Sequence, residues 1–215
     1  MNSFWIKTRR LVKLVFPKYI WEIPNSQKKI YLTFDDGPTP EITSWVLELL
    51  EAEKVKATFF CIGKNIEEHP ELFQKVIRHG HAVGNHTFSH LKGWDSDAEE
   101  YINNVAACER SIEKYSSQAG TLTKLFRPPY GKIKPSQSKK LRKIGYKIIM
   151  WDVLSMDFDR AAEPEKCLGN VIKNTVSGSI IVFHDSLKAS KNLQHALPKA
   201  IEHLKNAGFV FEKID

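Results

Sequence analysis

The 215-residue chain has few cysteines and no long uninterrupted hydrophobic run. Three cysteines cannot all pair, and Cys61, Cys108 and Cys167 lie in apolar or helix-like contexts, so we expect buried free thiols and no disulfide framework. Because Lys and Arg interrupt the apolar pieces, the sequence predicts neither a transmembrane helix nor a secretory leader. Low-complexity tracts and internal repeats are also absent. The remaining features, a hydrophobic content of 42% and this length, are typical of one globular domain with a substantial core.

Acidic residues are scarce near the N-terminus. Residues 1–30 contain seven Lys or Arg against a single Glu, a net charge of +6, so only +1 of the formal charge of +7 belongs to the rest of the chain. The basic character therefore describes the N-terminal segment. These positive residues are not interleaved with a base-stacking or groove-reading pattern, which argues against a nucleic-acid-binding module.

Residues 1–29 are predicted to form a basic N-terminal extension that contains an amphipathic helix ended by Pro17. Such a helix could lie on an anionic membrane surface or close one end of the fold against the core, and the sequence favours the second. Without an evident leader we expect a cytoplasmic location by default, with cell-envelope association as the alternative. The apolar face comprises Phe4, Trp5, Leu11, Val12, Val15 and Phe16, and the basic face comprises Lys7, Arg10 and Lys13.

An apolar run at residues 31–38, YLTFDDGP, ends in two adjacent carboxylates and a turn. Neighbouring side chains of a strand point to opposite faces. Asp35 and Asp36 could therefore have different roles, one in proton transfer and the other in metal binding. The alternative is a surface turn, because Asp-Gly and Gly-Pro are common turn dipeptides.

A second stretch at residues 84–90, GNHTFSH, contains two histidines four residues apart. On one face of a helical turn, His86 and His90 could converge on one cation, with a carboxylate as the third ligand and a coordination position left open. An open position is what a hydrolytic metal requires in order to activate water and polarise a carbonyl. The alternative is a solvated or core histidine pair.

Strand and helix patterns alternate from residue 29 to the C-terminus, which is typical of parallel βαβ units. The candidate functional residues fall at or just past the carboxyl ends of strands, where the active sites of α/β barrels form; an open doubly wound sheet is the alternative. Two helical details are predicted: Pro70 interrupts the helix at residues 65–79, and Ser96 is the N-cap of the helix at residues 96–116. The seven predicted strands cover residues 29–35, 56–62, 81–84, 124–127, 146–153, 179–184 and 209–214.

Five stretches resemble, in order, the signature motifs of the polysaccharide deacetylases, also called the NodB-homology or carbohydrate esterase family 4 domain. They are TFDDGP at 33–38, HTFSH at 86–90, RPPYG at 127–131, WDVLSMDF at 151–158 and VFHD at 182–185. The resemblance marks residues 30–215 as a catalytic domain and implies an α/β fold, an incomplete or distorted (β/α) barrel with about seven parallel strands. It also implies a hydrolase that uses a divalent metal, with Zn²⁺ expected. This enzyme would remove N-acetyl groups from an N-acetylglucosamine-containing glycan, peptidoglycan- or chitin-like.

The same resemblance implies a role for individual residues. Asp35 is expected to be the general base, with Arg127 holding its carboxylate in a bidentate grip; a structural ion pair is the alternative for Arg127. His184 is expected to be the general acid, with Asp157 raising its pKa; a core or surface imidazole is the alternative. The expected metal ligands are Asp36, His86 and His90, and the expected substrate-binding residues are Tyr130, Phe158 and Val182, although Val182 could equally be strand core.

The fourth motif departs from the family pattern W-x-x-D-x-x-D-W at two positions. Leu154 replaces an Asp and Phe158 replaces the terminal Trp, whereas Asp157 is retained. We expect these changes to affect the pocket wall and the substrate preference, and not activity itself. Asp152 and Asp185 are further carboxylates in the motifs, and the sequence assigns them no chemistry.

Two other functions stay open at the level of sequence. The same machinery could act on an O-acetyl ester, a formyl amide or a small cyclic amide. A non-catalytic glycan-binding module is less favoured, because the chain retains the base, the metal ligands and the acid.

Overall fold

The computed structural model describes residues 6–116 and 123–215. Helices alternate with strands through these ranges, as the sequence predicts. The strands are β1 (Lys29–Asp35), β2 (Thr58–Cys61), β3 (Ala82–Asn85), β4 (Leu125–Phe126), β5 (Lys147–Ile148), β6 (Val153–Leu154), β7 (Ile180–His184) and β8 (Val210–Glu212). The helices are α1 (Arg10–Val15), α2 (Ile42–Ala52), α3 (Gly63–Glu68), α4 (Pro70–Arg78), α5 (Ala98–Tyr115), α6 (Pro135–Lys143), α7 (Pro164–Ile172) and α8 (Ser190–Asn206).

Strand β1 lies at the centre of the sheet, and six of its seven residues are buried. The strands follow the order β5-β4-β3-β2-β1-β7-β6, with β8 beside the first half of β1, and their pairings are parallel. Such strands need cover on both faces, which explains their continuous apolar runs. The sheet curls into an incomplete (β/α) barrel, which confirms the predicted fold class.

The single strand predicted at residues 146–153 is wrong, because this stretch forms the two short strands β5 and β6 at opposite ends of the sheet order. Its backbone bonds to the N-terminal segment instead. The Ile20 N–H donates to the Ile148 carbonyl at 2.8 Å, and the Met150 N–H donates to the Ile20 carbonyl at 2.7 Å. Further along, the Leu154 N–H donates to the Ile6 carbonyl at 2.8 Å. The N-terminal segment therefore lies against the chain that joins the two edge strands.

Helix α1 is shorter than the helix predicted over residues 4–16, of which Phe4 and Trp5 fall outside the described residues. The segment is fixed by Asp152, whose carboxylate is fully buried and accepts hydrogen bonds from Lys7 and Lys13. Ser179 Oγ also donates to Asp152 at 2.6 Å. A carboxylate without an assigned role in the sequence is thus the anchor of the N-terminal segment.

Of the two predictions about helix ends, the structure confirms the one for Pro70 and contradicts the one for Ser96. Pro70 separates α3 from α4 and occupies the first turn of α4, which confirms the predicted interruption. The prediction of Ser96 as the N-cap of α5 is wrong. Asp97 caps the helix by accepting bonds from the Glu99 and Glu100 N–H groups at 2.8 and 2.9 Å, whereas the Ser96 hydroxyl donates to the Lys92 carbonyl.

The core packs the helices against the sheet, with aromatic rings at its centre. The rings of Phe34 and Phe59 stack with centroids 4.9 Å apart, and Phe183 lies 6.4 Å from Phe34. The three cysteines are buried and free, as predicted. In the parts of the chain that the structure describes, no helix has both the length and the apolar character needed to cross a bilayer.

We predict that Asp152→Asn lowers the free energy of unfolding by about 2–3 kcal/mol, because it removes the buried charge that pairs with both Lys7 and Lys13 and leaves Lys13 only the partly exposed Glu22. This figure is reduced from that of a fully buried pair because Lys7 is about one-third exposed. Urea unfolding measures the change.

Glu22→Gln is the matched control, because Glu22 contacts the same Lys13 but is partly exposed. We expect it to cost less than about 1 kcal/mol. An equal loss in both variants would contradict the anchoring role of Asp152.

Candidate active site

The expected base, Asp35, lies buried at the end of β1. Its Oδ1 accepts a 2.7 Å hydrogen bond from Nη1 of the fully buried Arg127. The prediction that Arg127 binds the Asp35 carboxylate through two hydrogen bonds is wrong, because only Nη1 donates to it. Nη1 also donates to Thr33 Oγ1 at 2.7 Å, and the other guanidinium nitrogens donate to the carbonyl groups of Ile149 and Met150 at 3.3 and 3.0 Å. Arg127 therefore orients one carboxylate oxygen of Asp35 and fixes the surrounding backbone with its other donors.

Asp36 turns away from its neighbour because its backbone adopts a φ of 81°, an uncommon conformation that clusters at functional sites. Asp185 braces this turn, since its carboxylate accepts bonds from the Gly37 N–H at 3.0 Å and from Thr43 Oγ1 at 2.6 Å. A Cβ at position 37 would lie 2.0 Å from Asp185 Oδ2, so only glycine fits. Burial raises the pKa of Asp185 to about 7. Sequence reasoning missed this positioning residue, although it directly follows His184.

The two histidines of the second motif converge without the predicted helical turn. Residues 86–90 form a loop after β3, in which Thr87 and His90 have φ values of 65° and 57°. Side chains hold this loop in place of helical hydrogen bonds: Asn85 Oδ1 accepts from the Thr87 N–H at 2.9 Å, and Asn104 Oδ1 accepts from the Phe88 N–H at 2.8 Å. The four-residue spacing predicted that His86 and His90 act as a pair, but contacts of the folded loop, and not a helical turn, bring their rings together.

Asp36, His86 and His90 form a cluster whose potential ligand atoms all lie within 4.8 Å of one another. Asp36 Oδ1 lies 3.7 Å from His86 Nε2 and 3.2 Å from His90 Nε2. That oxygen is buried, and the described residues offer it no bond of acceptable hydrogen-bond geometry. An orphaned buried carboxylate oxygen between two imidazoles fits a cation.

The protonation of the histidines also fits a metal site. Burial lowers the pKa of His86 to about 3, and burial likewise lowers the pKa of His90, so both rings are neutral near pH 7. His86 Nδ1 lies 2.7 Å from the Arg127 carbonyl, to which it donates, and this bond leaves the Nε2 lone pair for a ligand. These residues can therefore hold a divalent cation.

The expected acid, His184, lies at the end of β7 and pairs in register with Asp35 of β1. Its Nδ1 donates to Asp157 Oδ1 at 2.8 Å, its backbone N–H donates to Asp157 Oδ2 at 2.7 Å, and Ser155 Oγ donates to Asp157 Oδ1 at 2.8 Å. Burial lowers the pKa of His184, but the Asp157 carboxylate outweighs it and raises the value to about 9. The imidazole is therefore protonated near neutral pH, with Nε2–H as its remaining donor.

These groups surround a cavity of about 500 Å³ at the carboxyl ends of the strands. Eight of the ten predicted site residues line it, while Arg127 and Asp157 lie behind the wall and contact the base and the acid. The structure thus brings all ten together, and their individual roles stay predictions. The eight are Asp35, Asp36, His86, His90, Tyr130, Phe158, Val182 and His184.

The three expected substrate-binding residues occupy different sides of the cavity. The Tyr130 ring packs 4.6 Å from the His90 ring, and Phe158 lies edge-on to the His184 ring at 4.9 Å. Val182 is almost fully buried in β7. The cavity wall also contains Pro128, Trp151 and Lys188, to which the sequence assigned no role; the first two belong to recognised motifs, whereas Lys188 lies outside them. Leu154, the departure in the fourth motif, does line the cavity.

The parallel barrel brings together a potential metal-binding cluster, a buried carboxylate and a protonated histidine at one end of its strands, an arrangement typical of hydrolases. The sequence model of the family described as polysaccharide deacetylase matches residues 22–149. The chain belongs to this polysaccharide deacetylase family.

Individual relatives cover most of the chain. A peptidoglycan-N-acetylglucosamine deacetylase of Bacillus cereus is 37% identical over 193 residues, which span 89% of this chain and 88% of that protein. A chitooligosaccharide deacetylase of Azorhizobium caulinodans is 34% identical over 163 residues, 76% of each chain. A crystal structure of a peptidoglycan N-acetylglucosamine deacetylase in complex with 4-naphthalen-1-yl-N-oxidanyl-benzamide is 32% identical, has a TM-score of 0.86 and covers 94% of each chain.

The family also contains a protein described as a pseudoenzyme. A mutant of it with restored enzymatic activity is 27% identical to this chain, with a TM-score of 0.80 over 90% of this chain and 68% of that one. The fold by itself therefore does not establish turnover, which depends on the residues of the site.

We predict that Asp157→Asn lowers the pKa of His184 from about 9 to below its ordinary value near 6.5, because burial then acts without the stabilising carboxylate. The more distant carboxylates Asp35 and Asp36 offset only part of this loss. A titration of the His184 ring signals by NMR measures the change in metal-free protein.

Glu165→Gln is the control for this titration, because Glu165 is an exposed carboxylate beside a different imidazole, that of His195. This substitution should leave the pKa of His184 unchanged. Unchanged His184 values in the Asp157→Asn variant would contradict the pairing.

Proposed function

We propose that this chain is a metal-dependent deacetylase that removes N-acetyl groups from an N-acetylglucosamine-containing glycan of the peptidoglycan or chitin kind. The observation that carries this proposal is the meeting of three elements at one cavity: the metal-ligating cluster, the buried Asp35 carboxylate and the protonated His184 imidazole. The relatives named as peptidoglycan and chitooligosaccharide deacetylases support the substrate class.

Asp36, His86 and His90 would hold the cation. One carboxylate and two neutral imidazoles are typical of catalytic zinc sites, which keep a coordination position open, and we therefore propose Zn²⁺. When bound, the cation supplies Lewis acidity toward the acetyl carbonyl and the attacking water.

The protein's own residues would handle the protons of amide hydrolysis. Asp35, oriented by Arg127, accepts a proton from the water that attacks the acetyl carbon. The carbon–nitrogen bond then breaks, and the nitrogen leaves as an amine with the proton that His184 Nε2 donates. Acetate and a free amino sugar are the products. Asp157 keeps the imidazole charged and oriented until this transfer.

Tyr130, Val182 and Phe158 would bind the acetyl group and its sugar. By the family pattern, the Tyr130 backbone N–H donates to the developing oxyanion, and its ring lines the acetyl pocket. Val182 and Leu154 present apolar surface to the cavity, which suits the acetyl methyl group. The loss of an Asp at position 154 removes charge from this wall, and we propose that this affects which sugars are accepted.

We predict that the purified protein releases acetate from acetylated chito-oligosaccharides or peptidoglycan, and that His86→Ala abolishes both this activity and stoichiometric zinc binding. Asp35→Asn should lower kcat by about 10²–10⁴-fold but leave zinc content unchanged, because it removes the base and no ligand. Acetate release and metal analysis of the two variants, with chelated and zinc-restored protein, measure these effects.

The same assay separates the competing functions. Release of acetate from acetylated xylan alone would indicate an O-acetyl ester as the substrate. Binding of glycan by metal-loaded protein without turnover of any substrate would support a non-catalytic module and contradict the proposal.

We also propose that helix α1 contacts membranes, because it presents an exposed apolar surface away from the catalytic cavity. Leu11, Leu14 and Val15 of α1 are 60–70% exposed, and the exposed Arg10 and Lys18 flank them. Apolar side chains between basic residues suit an anionic bilayer surface.

We predict that the double variant Leu11→Ser/Leu14→Ser lowers co-sedimentation with anionic liposomes several-fold, because it removes apolar surface while keeping the charge. Ile144→Ser/Val210→Ser is the control, since both side chains are about half exposed elsewhere on the protein. Equal partitioning of all three proteins would contradict the membrane contact.

A further inference from the structure

A second cavity of about 470 Å³ adjoins the catalytic one. Tyr130, Trp151 and Leu154 line both, so the two spaces meet along these residues. We call the second cavity the aromatic groove. One wall is the N-terminal segment, with Val12, Phe16, Tyr19 and Trp21 among its lining residues, and the other includes Trp94, Lys132 and Ile133.

We infer that the aromatic groove is a carbohydrate-binding subsite for the sugar next to the one that is deacetylated. The inference rests on the proposed function, because it requires a glycan in the catalytic cavity. A polymer whose reacting unit lies between Asp35 and His184 must continue out of that cavity, and the groove borders it along Tyr130, Trp151 and Leu154.

The surfaces of the groove suit a pyranose ring. A pyranose presents C–H groups on its faces and hydroxyl groups at its rim, so it is bound by a flat aromatic ring with polar groups at the edge. Trp94 and Tyr130 are each 53% exposed and offer such rings. The Lys132 ammonium, which also lines the groove, can donate to hydroxyl groups.

The Trp94 ring is held in place before any ligand arrives. Its Nε1–H donates to the Ile133 carbonyl at 3.3 Å, and Lys132 Nζ lies 3.9 Å from its ring centroid. On the opposite wall, the rings of Phe16 and Tyr19 stack with centroids 5.7 Å apart. Aromatic walls fixed in this way lower the entropy cost of binding.

The N-terminal wall is separate from the signature motifs. Its lining residues all precede residue 22, where the match to the family begins. The segment is fixed by the buried Asp152 carboxylate, and the Thr8 N–H donates to the Asp152 carbonyl at 2.8 Å. The subsite is therefore built by the N-terminal extension of this chain together with the loop that carries Trp94.

The first test compares kcat/KM for chito-oligosaccharides of two to six sugars in the unmodified protein and in Trp94→Ala. We expect longer substrates to be preferred by the unmodified protein, and the ratio of long to short to fall by about 2- to 10-fold in Trp94→Ala, mainly through KM. Trp94→Phe, which keeps a flat ring, should retain most of the preference. Circular dichroism and thermal unfolding check that each variant is folded.

A second test measures binding without turnover. In Asp35→Asn protein, chitohexaose should shift the NMR signal of the Trp94 indole N–H, which is assigned by its loss in the Asp35→Asn/Trp94→Phe variant. The subsite is overturned if this signal does not move, or if Trp94→Ala keeps the full chain-length preference. Turnover with an unmoved Trp94 signal would refute the subsite alone, whereas a shifted signal without turnover by the unmodified protein would refute the proposed function alone.

Discussion

The buried guanidinium of Arg127 is the contact on which the rest of the site depends. It donates to the Asp35 carboxylate and to the carbonyl groups of Ile149 and Met150, so it joins the central strand to the chain between the two edge strands. Its own carbonyl accepts from His86 Nδ1 and thereby fixes the ring of a metal-ligand candidate. Because an unpaired buried charge is costly, the native arrangement keeps all these partners in place at once.

Burial or a neighbouring side chain sets the state of several groups in the site. Asp157 keeps His184 charged, whereas burial keeps His86 neutral. Asp185 holds the turn that directs Asp36 toward the histidines. Parallel strands bring these groups together because their carboxyl ends meet at one end of the barrel. The environment thus gives two imidazoles of one cavity opposite protonation states.

The N-terminal segment completes the barrel where the sheet is interrupted. It bonds to the backbone between β5 and β6, and a buried carboxylate pairs with two of its lysines. Two of the basic residues of this segment, Lys7 and Lys13, therefore have a structural role. The exposed apolar side chains of α1 are a separate feature of the same segment.

The sequence by itself determined the alternation of strands and helices and the family, and it predicted the ten residues that meet at the cavity, because apolar periodicity and ordered motifs are local properties of the chain. Only the tertiary structure decided how these residues meet. The split of the strand at residues 146–153, the loop conformation of His86 and His90, the single bond from Arg127 to Asp35 and the brace from Asp185 all depend on partners distant in sequence. No local pattern records such partners, since hydrogen bonds across a barrel form only when the strands have closed around the site.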